Sequence, residues 1–66
     1  MSEALIDARG LRCPWPALRL ARGMRAAPAV RLLADDPAAP REIAALAAEH
    51  GWTIIADGEH GWRVSA

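Results

Sequence analysis

The chain has one cysteine, Cys13, and the residues around it favour chemistry at its thiol. Pro14 and Pro16 lack backbone N–H donors, so they suit the first turn of a helix, where those donors have no partners. The residues that follow repeat apolar side chains at helical spacing, which predicts a helix that begins directly after Cys13. The dipole of that helix favours the thiolate, so we expect a pKa below the ordinary value of about 8.5.

The neighbours of this thiol fit a reactive site better than a buried one. A lone cysteine is most often a small buried hydrophobic residue, but an arginine and a proline, here Arg12 and Pro14, seldom flank a core residue. Gly10 permits a close turn, the two prolines fix the entry into the helix, and such exposed turns often carry function. Arg9 and Arg12 flank the site, and we expect both charges to lower the pKa of the thiol and Arg12 to steady the thiolate. Arg9 is also a candidate contact for a partner. The sequence therefore predicts an exposed nucleophile.

Three further residues are candidates for a surface beside the thiol. Asp35 and Asp36 follow an apolar run and precede a proline, so they are expected to cap a second helix; an acid–base pair is the alternative. The ends of strands in an α/β sheet cluster at one edge, which would bring this loop near Cys13. Trp15 lies between the prolines and is either a contact for a partner, a lid over the thiol, or a packing residue at the sheet edge.

Histidine and metal chemistry are not expected. His50 falls at the end of the predicted second helix, whereas Cys13 lies at the start of the first. If the two helices run parallel, the residues are a helix length apart, about 15 Å for ten residues. A cysteine–histidine dyad is therefore not predicted. The spacing of the histidines and carboxylates also predicts no metal site.

The bulk composition indicates a single small domain over residues 1–66. The length is near the lower limit for a fold held by a hydrophobic core alone. A lone free thiol suits the reducing cytoplasm, where we expect the protein to be located. No apolar run approaches the roughly 20 residues that cross a bilayer, and the start of the chain does not resemble a signal peptide. We expect a monomer that does not associate with membranes.

Charge is balanced overall but distributed unevenly. Eight cations, all arginine, face eight acids, which argues against direct binding of nucleic acid. Six of the arginines precede residue 32, and five of the acids lie beyond residue 35. Arg19, Arg22 and Arg25 fall on the predicted first helix, where they form either a docking face for a partner or a solvated helix face.

The apolar periodicity and the turn residues predict an α/β fold. The expected elements are a strand over 4–7, a helix from 14 or 15 to 25, a strand over 30–34, a helix from 39–41 to 50, and strands over 52–57 and 61–65. The last two strands form a hairpin. The order β-α-β-α-β-β predicts a two-layer α/β sandwich, in which two helices cover one face of a four-stranded mixed sheet.

The motifs resemble those of the TusA/SirA family of small sulfur carriers. The resemblance extends from about residue 5 to 64 and rests on three segments. These are Asp7-x-x-Gly10-Leu-x-Cys13-Pro-x-Pro16, Asp35-Asp36-Pro37 and Arg41-Glu-Ile43. The chain departs from the family at Ala27-Pro28-Ala29, where a glycine is frequent, and at Pro40, early in the second helix.

The resemblance implies the same two-layer fold and a sulfur-carrier function. Cys13 would accept sulfane sulfur as a transient persulfide, with no other cofactor, from a cysteine desulfurase or a rhodanese-type donor. A downstream acceptor protein would then take the sulfur. The family relationship allows tRNA thiolation, molybdenum-cofactor supply, selenium handling or sulfur oxidation as the pathway. The implied activity is that of a carrier-type sulfurtransferase, which depends on its partner proteins.

Two other classes compete with this interpretation. In the first, the chain is a regulatory or interaction module that docks a partner through its basic first helix, and the cysteine is incidental. In the second, it is a redox thiol protein that forms transient mixed disulfides. The absence of a second, resolving cysteine disfavours the redox class.

Overall fold

The architecture follows the predicted order of elements. A computed structural model describes residues 4–66. The strands and helices are β1 (Ala4–Asp7), α1 (Trp15–Ala26), β2 (Ala29–Leu33), α2 (Ala39–His50), β3 (Thr53–Ala56) and β4 (Gly61–Ser65). Each boundary lies within one or two residues of the prediction.

The four strands form one mixed sheet in the order β1-β2-β4-β3. β1 and β2 run parallel, with Ile6 opposite Leu32, and β4 runs antiparallel to both β2 and β3. A parallel pair needs a crossover connection, which α1 supplies. The helices pack against each other and against the sheet, so the predicted two-layer α/β fold is confirmed.

The core lies between the helices and the sheet. Its largest fully buried aliphatic side chains come from both helices and from two strands: Leu20, Ile43, Val30, Leu32 and Val64. Trp52 and Trp62 are half-buried against this cluster. This packing fixes the position of α1 relative to α2. It therefore also fixes the N-terminal ends of the two helices, near which the thiol lies.

Gly23 allows α1 to approach the sheet closely. A Cβ atom at this position would collide with the Cδ1 atom of Ile6 and would lie 3.5 Å from a methyl carbon of Val30. Glycine lowers intrinsic helix stability by about 1 kcal/mol relative to alanine. Close helix–strand packing accounts for its presence in the last turn of this helix.

α2 accommodates its early proline and ends as the sequence predicts. The helix begins at Ala39, so Pro40 occupies the first turn, where its missing N–H breaks no helical hydrogen bond. Gly51 ends the helix in the left-handed conformation with φ 72°. The N–H of Trp52 then donates to the carbonyl of Ala47 at 2.8 Å. Within residues 4–66, neither helix is long and apolar enough to span a membrane.

Candidate functional site

A short, tightly folded loop connects β1 to α1 and carries the cysteine. The N–H of Ala8 donates to the carbonyl of Leu33 at 2.7 Å, which attaches the start of the loop to β2. Gly10 has φ 84°, a left-handed conformation that favours glycine, so the predicted role of Gly10 in a close turn is supported. The N–H of Trp15 donates to the carbonyl of Arg12 at 2.8 Å and closes a turn around Cys13.

A second loop holds the cysteine loop in place. The Oδ1 atom of Asp35 accepts a hydrogen bond from the N–H of Gly10 at 2.9 Å. The expectation that the loop after β2 lies beside the cysteine loop is therefore confirmed. Asp35 does not cap α2, so that part of the prediction is wrong; its carboxylate is used to connect the two loops.

Asp36 shapes the turn that precedes α2. Its Oδ2 atom accepts from the N–H of Ala38 at 3.2 Å, and its carbonyl accepts from the N–H of Ala39 at 2.9 Å. Ala38, which directly precedes the helix, makes no side-chain capping bond. Asp36 therefore stabilises the entry into α2: its carboxylate accepts from Ala38, before the helix, and its carbonyl accepts from Ala39, the first helical residue.

Cys13 lies two residues before the first residue of α1, and its thiol is exposed, as the sequence predicts. The Cys13–Pro14 peptide bond is cis. Pro14 directly precedes the helix, and Pro16, its second residue, is buried against the core. The two prolines thus connect the exposed thiol to the packed body of the protein.

The partner of the thiol is a carboxylate from the other helix. Cys13 Sγ donates a hydrogen bond to Oε2 of Glu42, which lies in the first turn of α2. The Oε1 atom of Glu42 is buried and has no hydrogen-bond partner among residues 4–66. The N-terminal ends of α1 and α2 therefore meet at the thiol. Sequence reasoning did not assign Glu42 to the site.

The expectation of a lowered thiol pKa is wrong. The hydrogen bond to Glu42 raises the pKa of Cys13 above its ordinary value, and partial burial and the negative charges of Glu42 and Asp36 act in the same direction. A carboxylate that accepts from the thiol stabilises its protonated form, and this outweighs the helix dipole. The side chain of Cys13 is therefore largely protonated at neutral pH.

The flanking arginines do not supply the positive charge expected of them. Arg9 forms hydrogen bonds through Nε and its terminal nitrogen with the carboxylate of Asp7, at 2.9 and 2.8 Å, and lowers the pKa of Asp7 to about 2. Arg12 is exposed and forms no ion pair with any residue in 4–66. The predicted role of Arg12 in steadying the thiolate has no contact to support it.

An exposed stripe on α1 leads away from the thiol. Trp15, Leu18, Arg19 and Arg22 occupy positions i, i+3, i+4 and i+7, which share one face of a helix. Trp15 is 56% exposed and Leu18 51% exposed, so Trp15 is not a packing residue. The arginines of the stripe form no ion pair with the described part of the chain. We call these four residues the α1 stripe. Leu18 was not among the residues predicted from the sequence to form this surface.

The histidines lie apart from the thiol. The rings of His50 and Trp52 stack at the end of α2, with centroids 4.5 Å apart, and His60 lies in the β3–β4 turn beside Glu59. Within residues 4–66, no three His, Cys, Asp or Glu side chains lie close enough together to hold a metal ion. The side chains that contact each other at the described site are the thiol of Cys13 and the carboxylate of Glu42.

The fold and the site define a small α/β domain that presents one thiol where two helix N-termini meet. The family model for sulfurtransferase TusA matches residues 4–65, so the chain belongs to the TusA sulfurtransferase family. This confirms the resemblance drawn from the motifs and implies a role as a sulfur carrier. No curated protein matches the chain significantly.

Proposed function

We propose that this protein is a sulfur carrier that accepts sulfane sulfur as a persulfide on Cys13 and relays it to an acceptor protein. The observation that carries the proposal is the exposed thiol of Cys13, the chain's one cysteine, on a fixed loop in a member of a sulfurtransferase family. A free thiol of this kind suits the reducing cytoplasm, which we propose as its location.

The transfer is an exchange at the outer sulfur of a donor persulfide. Cys13 Sγ attacks that sulfur; the new Sγ–S bond forms as the donor's S–S bond breaks, and the donor leaves as a thiolate. The proton lost by Cys13 balances the charge on the departing thiolate. Delivery repeats the exchange in the other direction, with an acceptor thiolate attacking the outer sulfur and Cys13 leaving. The sulfane sulfur moves without net oxidation or reduction.

The partners supply what the isolated site lacks. Because the raised pKa keeps empty Cys13 largely protonated at neutral pH, an unassisted attack is slow. A donor that encloses the exposed loop can change the surroundings of the thiol and of Glu42 at the moment of transfer. We propose a cysteine desulfurase or a rhodanese-type enzyme as the donor, and a protein with a nucleophilic thiol as the acceptor.

The α1 stripe is the surface that we propose for docking these partners. It begins at the thiol with Trp15, and Arg19 and Arg22 extend it as positive charge along the helix. Arg9 and Asp35 are engaged in contacts within the protein, with Asp7 and Gly10 respectively, so they act by fixing the cysteine loop. Exposed aromatic and basic side chains together favour a partner with an acidic rim around an apolar pocket.

The proposal predicts that the purified protein gains one labile sulfur atom on Cys13. The protein would be incubated with a cysteine desulfurase and cysteine, or with a rhodanese and thiosulfate, and its intact mass measured. Dithiothreitol should remove the added sulfur, because a persulfide exchanges with thiols. The Cys13→Ser variant should gain none.

The Cys13→Ser variant is the control for this experiment. Free sulfur adsorbed on the protein would survive in Cys13→Ser, so the variant separates covalent loading from adsorption. A wild-type protein that stays unmodified with every donor would overturn the carrier proposal and leave the interaction-module alternative.

A further inference from the structure

The hydrogen bond between Cys13 and Glu42 is present only while the carrier is empty. Its donor is the proton on Sγ of Cys13, and its acceptor is Oε2 of Glu42. When Cys13 carries sulfur, Sγ is bonded to the outer sulfur and holds no proton. Loading therefore removes the donor that Oε2 has in the empty protein.

Glu42 then has no donor for either carboxylate oxygen among residues 4–66. Oε1 is already buried without a hydrogen-bond partner. Loading leaves this half-buried carboxylate, which already lacks a partner at Oε1, without its charge-assisted hydrogen bond at Oε2. The loss of this hydrogen bond thus makes the loaded protein less stable relative to the empty protein.

The charge of the persulfide acts in the same direction. A persulfide is more acidic than the corresponding thiol, so the loaded group carries more negative charge at neutral pH than the empty thiol does. The carboxylates of Glu42 and Asp36 act on Cys13 from α2 and from the loop before it, and Asp35 lies on the same loop at Gly10. On the cysteine's own loop, the charge of Arg9 is paired with that of Asp7. Arg12, which directly precedes Cys13, is the remaining arginine of this loop. The set of nearby groups is predominantly negative and opposes a second anion.

We propose that Glu42 is a positioning residue that sets the sulfur-transfer equilibrium of Cys13, by stabilising the empty thiol and destabilising the loaded persulfide. This inference rests on the proposed carrier function. Glu42 therefore shifts the equilibrium towards the empty carrier and favours transfer of the sulfur to an acceptor. The transfer restores the hydrogen bond between Cys13 and Glu42.

The equilibrium can be measured with a small donor, so that protein docking does not enter. In the exchange, Cys13 thiol and glutathione persulfide give Cys13 persulfide and glutathione, with one S–S bond broken and one formed. The ratio of loaded to empty protein is read by intact mass at fixed concentrations of glutathione and its persulfide. Glu42→Gln should raise this ratio by about tenfold, because the amide carries no charge and can donate to the outer sulfur.

Three variants separate this role from general effects. Glu42→Asp keeps the carboxylate, so its ratio should stay closer to that of the wild type than to that of Glu42→Gln. Asp36→Asn removes a nearby charge without a contact to the thiol and should raise the ratio by a smaller factor. Glu49→Gln makes the same chemical change on an exposed residue of α2 and should leave the ratio unchanged.

A second readout follows the thiol itself. The pH midpoint of Cys13 alkylation by iodoacetamide should be lower in Glu42→Gln than in the wild type, because the hydrogen bond to the carboxylate is the largest cause of the raised pKa. A purely structural role for Glu42 would change the circular dichroism and leave the equilibrium ratio of the folded fraction unchanged.

The outcomes distinguish this inference from the proposed function. A wild type that loads normally, with a Glu42→Gln ratio equal to or below it, would overturn the role of Glu42 and leave the carrier proposal standing. A Glu42→Asp ratio as high as that of Glu42→Gln would do the same. A wild type that gains no sulfur from any donor would overturn the carrier proposal, and this inference with it.

Discussion

Leu20→Ala is expected to lower the free energy of unfolding by about 2–5 kcal/mol, the range for removing a fully buried leucine side chain. Leu20 lies on α1 with no exposed surface, within the cluster that contains Val30, Leu32 and Ile43. Truncation removes apolar contacts and leaves a cavity between α1, the sheet and α2. A domain of this size is stabilised by roughly 3–10 kcal/mol in all, so the loss is a large share of the total.

Leu18 supplies a matched control on the same helix. It is 51% exposed, so Leu18→Ala makes the same chemical change with little change in packing and should alter stability by about 0.5 kcal/mol or less. Urea unfolding, followed by tryptophan fluorescence and far-UV circular dichroism, measures both variants. Equal losses for the two leucines would contradict the described orientation of α1.

The fold could be predicted because each element has a local signal. The apolar spacing along α1, the closing Gly51 of α2 and the turn residues around Gly58 each indicate an element or its end within a few residues of sequence. The thiol's exposure and its place before α1 also follow from local features, the prolines above all. These predictions depend on neighbours along the chain, and the structure confirms them.

The electrostatics of the site could not be predicted in the same way. Cys13 and Glu42 are 29 residues apart in sequence, and their contact depends on how α1 and α2 pack, which the core determines. The signals were Asp36-Pro37, which indicates where α2 begins, and the motif Arg41-Glu-Ile43, which places an acid in its first turn. Parallel crossovers bring both helix starts to the same edge of the sheet, and this reasoning would have identified Glu42.

The flanking arginines show why closeness in sequence is a poor guide to charge at a thiol. Arg9 lies four residues before Cys13, yet its guanidinium pairs with Asp7, two residues before it. Net charge over a short window predicts a positive environment, whereas the charges that raise the pKa of the thiol are those of the carboxylates of Glu42 and Asp36. A local ion pair, such as that of Arg9 with Asp7, neutralises a charge that a count along the sequence would include. Contacts between distant segments bring in charges that the count leaves out, here negative ones.

Reversing the charge of the α1 stripe is expected to slow sulfur uptake from a donor enzyme by about 10- to 100-fold at low ionic strength. The variant is Arg19→Glu with Arg22→Glu. Both arginines are exposed and form no ion pair within residues 4–66, so their charge is available to a partner. Charge outside the contact core acts mainly on the association rate, because it steers the encounter. The rate of loading under limiting donor, followed by intact mass, measures this effect.

The arginine pair acts on recognition, and its effect should be separable from the chemistry of the thiol. The pH midpoint of Cys13 alkylation should barely change in the double variant, because the charges that act on the thiol are those of Glu42 and Asp36 and because salt screens exposed charges over about 10 Å. Arg19→Lys with Arg22→Lys keeps the positive charge and should load at nearly the wild-type rate.

Ionic strength provides the decisive comparison. Raising the salt concentration should slow loading of the wild type and of the lysine variant, and should affect the glutamate variant less or in the opposite direction, because screening weakens attraction and repulsion alike. If the glutamate variant loads at the wild-type rate at low salt, Arg19 and Arg22 form only a solvated helix face. The docking surface would then lie at the thiol end of the domain, around Trp15 and the loop that contains Asp35 and Asp36.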